Sequence, residues 1–318
     1  MTRLFLLTFI GLCFNFQASA QCCSAGNPSS DGGAIGITKN SLNVSTSILH
    51  SYSDTYFEGN RKSDWDYLKN THFNFGILNL NYGLTDKLKL STEFGYFIDK
   101  SIQYSFIDVN RKAGGLGDAV IGLQYHLYSN KKRMINVAPV VKISLPVGQF
   151  DQMDGNIILP IDIQPSSGSY KLNTSILVSK RFFGSKFSLT SFLSSEFSQR
   201  INTERTDYKY GNLYHATLKV THRSSEKLNT ELSLNLQHRN KALNKGKIME
   251  FTGGTSLKLQ PGISYYLKNN YSVNTSVGIP IYKNVNGIQL TNKYTITFGI
   301  SKSFQLKTLR SQINPKII

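Results

Sequence analysis

One tryptophan, three cysteines and 19 acidic residues against 36 basic ones set the first limits on this 318-residue chain. Beyond residue 20 no run of about eighteen apolar residues occurs, so no transmembrane helix can be built there. The mean hydropathy of −0.24 points the same way. Neither fact excludes a membrane crossed by strands, because a barrel strand is apolar on one side only and a sliding average cancels the signal. The shortage of acids leaves a net charge of +17. Lys and Arg are nevertheless scattered through turns and loops, with no basic stripe interleaved with aromatics, so a nucleic-acid module is not indicated. Solvated loops and boundary residues facing acidic lipid or lipopolysaccharide account for the charge.

Cysteine is too scarce for a disulfide framework. Cys13 belongs to the leader described next, and Cys22 and Cys23 are adjacent. Two neighbouring thiols can pair with each other or with another chain, or hold a soft metal. No cofactor is implied. The six histidines, His50, His72, His126, His215, His222 and His238, show neither helix-face nor zinc-finger spacing.

The N-terminus has the layout of a secretory signal. Arg3 supplies the positive region, Leu4 to Phe16 the apolar region, and Ala18-Ser19-Ala20 the cleavage site. Residues 1–20 are expected to be removed. Residues 21–40, rich in Gly, Ser and Asn, are expected to form a flexible periplasmic segment.

What is plentiful is Tyr (17) and Phe (19), both strand formers, and Tyr suits a boundary between water and lipid. From residue 41 onward apolar and polar residues alternate. Leu88, Leu90, Thr92, Phe94 and Tyr96 share one face of a strand, and Lys89, Ser91, Glu93, Gly95 and Phe97 share the other. The same contrast recurs in Leu228 to Gln237 and in Tyr294 to Ser301. About twelve strands of roughly ten residues are predicted, a length that suits a membrane span better than a soluble sheet. Their spans are 42–52, 71–83, 87–98, 118–129, 134–146, 170–182, 186–198, 212–223, 227–238, 254–267, 271–282 and 291–304. Pro139, Pro261 and Pro280 fall inside them and predict bulges or local breaks.

The connections alternate strictly between short and long. Short ones include Thr85-Asp86-Lys87 and Lys268-Asn269-Asn270. Long ones are expected at 53–70, 98–117, 147–169, 199–211, 239–253 and 283–290. A soluble β-sandwich also alternates, but it gives no reason for this asymmetry. Transmembrane barrels do, with short periplasmic turns and long outer loops. The expected fold is therefore all-β: a transmembrane antiparallel up-and-down β-barrel over residues 41–304, with both termini periplasmic. A basic tail, 305–318, follows the closing strand, which ends at Phe304. The expected location is the bacterial outer membrane, reached through the barrel assembly machinery.

Six segments, taken in order, carry a resemblance to a known family. They are YGLTDKL (Tyr82 to Leu88), GGLGDAVIGLQYHL (Gly114 to Leu127), LPVGQF (Leu145 to Phe150), LPIDIQPSSGSY (Leu159 to Tyr170), QPGISYYL (Gln260 to Leu267) and GIPIYKNVNGIQL (Gly278 to Leu290). Together they resemble the outer-membrane family called "MetA-pathway of phenol degradation". The resemblance implies a β-barrel that moves small molecules, possibly aromatic or hydrophobic ones, across the outer membrane. It supplies no catalytic residues. LPVG and QPSS depart from the family's LPTG- and QPGT-like forms.

On this register Lys89, Glu93, Lys142, Glu196, Lys219, Glu231 and Lys258 point into the lumen, where inward charge sets selectivity or, paired, simply fills space. The loop Asp151 to Tyr170 carries Ile158, Leu159, Pro160, Ile161 and Gln164, and its exposed apolar residues mark it as a candidate plug or ligand-touching element. Three functional readings follow. The first is a channel or transporter for small-molecule substrates. The second is a plugged barrel with a structural or surface-interaction role. The third is a barrel hydrolase, for which no nucleophile elbow is present.

Overall fold

The computed structural model describes residues 38–306 apart from 131, 183 and 185. The signal, the Cys22–Cys23 pair and the C-terminal tail therefore lie outside the described residues, except for positions 38–40 and 305–306. Among the described residues no helix is long and apolar enough to cross a membrane.

Eleven antiparallel elements form one closed wall: β1 (Ser41–Gly59), β2 (Leu68–Gly83), β3 (Leu88–Tyr104), β4 (Asn110–Tyr125), β5 (Ile135–Leu145), β6 (Lys171–Arg181), β7 (Phe187–Ser198), β8 (Leu213–Arg223), β9 (Leu228–Arg239), β10 (Gly254–Tyr266) and β11 (Tyr271–Gln305). Each pairs with the next, and β11 returns to β1, with Ser41 opposite Gln305 and Ile48 opposite Phe298. Closure leaves no open edge, which strands in lipid require because nothing there can hydrogen-bond a bare backbone.

The 35-residue β11 is a hairpin that supplies two staves. Its first half pairs with β10 (Gly254↔Val285 to Tyr266↔Ser272), and its second half pairs with β1. The halves also touch each other through Ser272 and Ser301, whose hydroxyl oxygens are 2.7 Å apart. The tip is Asn286-Gly287, where Gly287 has φ +58°. The long connection expected at 283–290 is therefore a tight turn, in which Gly287 supplies the left-handed conformation.

Two other links, expected at 53–70 and 98–117, are shorter than expected for a related reason, while those expected at 147–169, 199–211 and 239–253 are as long as the sequence suggested. The wall continues to Gly59 and Tyr104 and restarts at Leu68 and Asn110. Charged residues such as Asp99, Lys100, Arg111 and Lys112 end the apolar alternation, but a backbone ladder does not need lipid beside it. At these two hairpins the wall rises above the apolar band before the loop begins. All three prolines sit at irregularities. The register slips beside Pro280, between Leu257 and Lys258. Pairing of β10 to β11 lapses beside Pro261, between Leu259 and Gly262. The strand facing Pro139 pairs Gln124 with Val140 but Tyr128 with Val137.

The outer face is apolar over its middle: Phe94, Tyr96, Leu232, Leu234, Leu236, Ile296, Phe298 and Ile300 are all exposed. Their alternate neighbours point inward, and Lys89 (3% exposed) and Glu93 (7%) are covered by protein. With lipid on the outside, this is the burial pattern of a membrane barrel. Both ends of the described wall sit at the short-turn end, where Leu306 N–H donates to Asn40 O at 2.8 Å.

Candidate functional site in the barrel lumen

The interior is divided. On the β2–β5 side it is packed: Phe75 and Phe97 are fully buried with ring centroids 4.3 Å apart, and Ile77 and Phe73 join them. Lys89 and Lys142 are neighbours on this filled side. A Cβ on Gly122 would fall 2.9 Å from Lys142 Cγ, so the lysine stem lies across that glycine.

The other side holds a cavity of about 440 Å³, lined mainly by β1, β7–β10 and both halves of β11. Small-molecule sites commonly occupy such volumes. Of the sequence-predicted lumen residues, Glu196, Lys219, Glu231 and Lys258 line this cavity, while Lys89, Glu93 and Lys142 belong to the filled side or its margin. Lys219 Nζ lies 3.5 Å from Glu231 Oε2. A belt of hydrogen bonds crosses four staves nearby. Thr217 Oγ1 donates to Asn235 Oδ1 (2.8 Å), Asn235 Nδ2 to Gln260 Oε1 (3.3 Å) and Gln260 Nε2 to Ser276 Oγ (3.0 Å). Each buried amide thereby finds partners, and the wall is rigid and polar.

The connection from Pro146 to Tyr170 folds into the mouth and reaches from the β3–β4 wall toward the loops after β7 and β9. Leu159 and Ile163 pack on Ile102 of β3 and Ala113 of β4, and Ile161 leans on the cluster of Ile201, Tyr208, Tyr210 and Ala242. Gln164 is 1% exposed and donates through Nε2 to Leu159 O at 2.8 Å. Ile158 and Pro160 remain exposed: Ile158 lies in a two-residue strand, Ile157–Ile158, paired with Met153–Asp154. The plug candidates therefore divide, with Leu159, Ile161 and Gln164 inward and Ile158 and Pro160 outward.

Two anchors hold this loop. Asp118 accepts from Ser166 Oγ (2.7 Å), from Ser167 N–H (2.9 Å) and from the Ser167 hydroxyl, with Lys171 Nζ 3.9 Å away. Lys100 Nζ donates to Gln164 O at 3.2 Å. A further bond, from Tyr210 OH to Ser167 O (3.1 Å), joins the next loop. Burial pushes the Tyr210 phenol pKa well above its ordinary value, so the proton needed for that donation stays in place. Asp162 sits inside the mouth, where burial raises its carboxyl pKa and the Lys100 and Arg239 cations oppose the rise.

Sequence reasoning missed Lys100, Asp118, Lys171, Arg239 and Lys283 as interior groups. One signal was available: the alternation Glu231, Ser233, Asn235, Gln237 continues to Arg239, which is 3% exposed.

On the outer wall, His72 lies between Asp99 (Nε2 to Oδ2, 3.0 Å) and Ser101 (Nδ1 to Oγ, 2.9 Å). This is not a usable nucleophile. Ser101 is 1% exposed, and its Oγ lies 3.3 Å from Nε2 as well, so it is not aligned with either ring nitrogen alone. Among the described residues no cluster of metal-ligating side chains occurs.

A family model described as "Putative MetA-pathway of phenol degradation" matches residues 26–298. Among solved structures, the COG4313 outer membrane channel from Pseudomonas putida F1 superposes with a TM-score of 0.71 at 14% identity, over 87% of this chain and 100% of that one. The β-domain of the Bordetella autotransporter BrkA superposes with a TM-score of 0.51 at 9% identity, over 84% of this chain and 100% of that one. These likenesses show an outer-membrane barrel fold. No curated protein matches the sequence.

Proposed function

We propose that this chain, which belongs to the MetA-pathway of phenol degradation family, is an outer-membrane channel for small molecules. The observation that carries this reading is the cavity of about 440 Å³ inside a closed barrel, walled by hydrogen-bonded polar groups and charged side chains. A barrel that only needed to stand in lipid could fill its interior, as the β2–β5 side does. The likeness to the P. putida outer membrane channel supports the same reading. Its outer face would be covered by outer-membrane lipid and lipopolysaccharide.

The inward loop 146–170 reaches across the mouth, which supports reading the channel as a gated or slow one. Planar-bilayer recording tests this. The expected result is small discrete conductance steps that grow when residues 151–165 are replaced by a short Gly-Ser linker. Absence of current from both proteins would overturn the channel reading and leave a plugged, structural barrel.

A further inference from the structure

We propose that the lumen selects small organic anions that carry an apolar body, an inference that rests on the channel reading above. The charged groups lining the cavity are Lys171, Lys219, Lys258, Lys283 and Arg239 on one side of the balance and Glu196 and Glu231 on the other.

The cations are placed in a file. Arg239 is level with Gly254 and Lys283 with Ser256; Lys258 is level with Asn235 and Lys219 with Ser233. From the loop mouth downward, neighbouring staves thus offer one cation after another. The file keeps carboxylates close, Glu231 by Lys219, Asp162 by Arg239 and Asp54 by Lys283, and its cations also meet uncharged groups. Lys283 Nζ donates to Thr291 Oγ1 at 2.9 Å and lies 4.7 Å from the centroid of the Phe57 ring. Arg239 Nη1 donates to Gly211 O at 3.4 Å. The Lys258 stem lies across Gly278, where a Cβ would come within 2.7 Å of its Cδ. Fixed cations inside low-dielectric walls raise the local concentration of anions and repel cations.

Apolar patches flank this file: Leu177 and Phe192 on one side, Leu49, Phe73 and Ile77 on the other. A chloride ion uses only the file. A neutral apolar molecule uses only the flanks. A carboxylate with a hydrocarbon body uses both, and successive cations allow it to be passed along rather than trapped.

The test is made on the full mature chain. Reversal potentials in a KCl gradient are expected to show chloride favoured over potassium several-fold. Under bi-ionic conditions hexanoate is expected to permeate better than acetate, with hexylammonium excluded. Lys258→Glu combined with Lys283→Glu should remove the anion preference. Phe192→Ala should lower hexanoate permeation but leave the chloride preference unchanged. Lys258→Gln serves if the double variant does not fold. A cation-preferring or unselective wild-type current, or equal permeation of acetate and hexanoate, overturns the proposal while leaving the channel reading intact. A silent bilayer overturns the channel reading instead. The anion site is then decided by calorimetric titration with hexanoate in detergent: binding weakened at least tenfold in the double variant supports it, and no binding, or equal binding, overturns it.

Discussion

Asp118 of β4 receives both the N–H and the hydroxyl of Ser167, two buried groups 49 positions apart in the chain. With Ser166 Oγ and Lys171 Nζ also present, one carboxylate ties the inward loop to the wall. Removing an acceptor while its donors stay buried costs about 1–3 kcal/mol for each orphaned group. Asp118→Ala is therefore expected to free the 146–170 segment while the barrel stays closed. The check is protease sensitivity of that segment together with a rise in single-channel conductance. Unchanged protection would show that the apolar contacts of Leu159 and Ile163 suffice.

Asp162 gives the loop a pH dependence whose sign can be worked out. Its carboxyl pKa is raised where it is docked, mainly by burial. A raised carboxyl binds a proton more readily docked than free, so docking is favoured below the ordinary carboxylate value and weakens as pH rises through the docked value. Hydrogen exchange in residues 151–165, corrected for its intrinsic pH dependence, should slow on acidification. Asp162→Asn should abolish that slowing. A variant that retains the full dependence would assign it to another group.

Gly148, inside LPVGQF, marks a close passage of backbone past backbone. A Cβ there would fall 1.8 Å from Leu116 O, a distance no rotamer change can relieve. Gly148→Ala is expected to displace the start of the loop from β4. The readout is lower thermal stability in detergent and higher basal conductance, in the same direction as Asp118→Ala. Wild-type stability would show that the strand can move aside.

Leu234, on the outer apolar band, tests the membrane assignment itself. Leu234→Lys should destabilise the barrel by about 2–4 kcal/mol, the cost of a lysine facing mid-bilayer. Urea titration of protein folded into vesicles measures it. A change near zero would place that face against water or protein.

Most of the wall was legible because strand period and lipid exposure act on the same residues. Leu228 to Gln237 declares both faces at once. What was misjudged lies where those two constraints separate. Above the lipid, Lys100 and Arg239 continue the ladder with charged side chains, and a reading keyed to apolar alternation stops too early. The Asn286-Gly287 tip carried a local turn signal that pointed to the hairpin. The anchoring of Ser166 and Ser167 on Asp118 carried none, because nothing in either segment's local pattern names a partner so distant in sequence.

The seam between β1 and the returning half of β11 joins the first stave of the chain to the last. The cylinder therefore cannot be sealed until its final thirty-odd residues have been delivered. Every earlier stage has two raw margins that must be shielded by something else. A chain truncated before Tyr271 would lack not merely two planks but the means of becoming a tube.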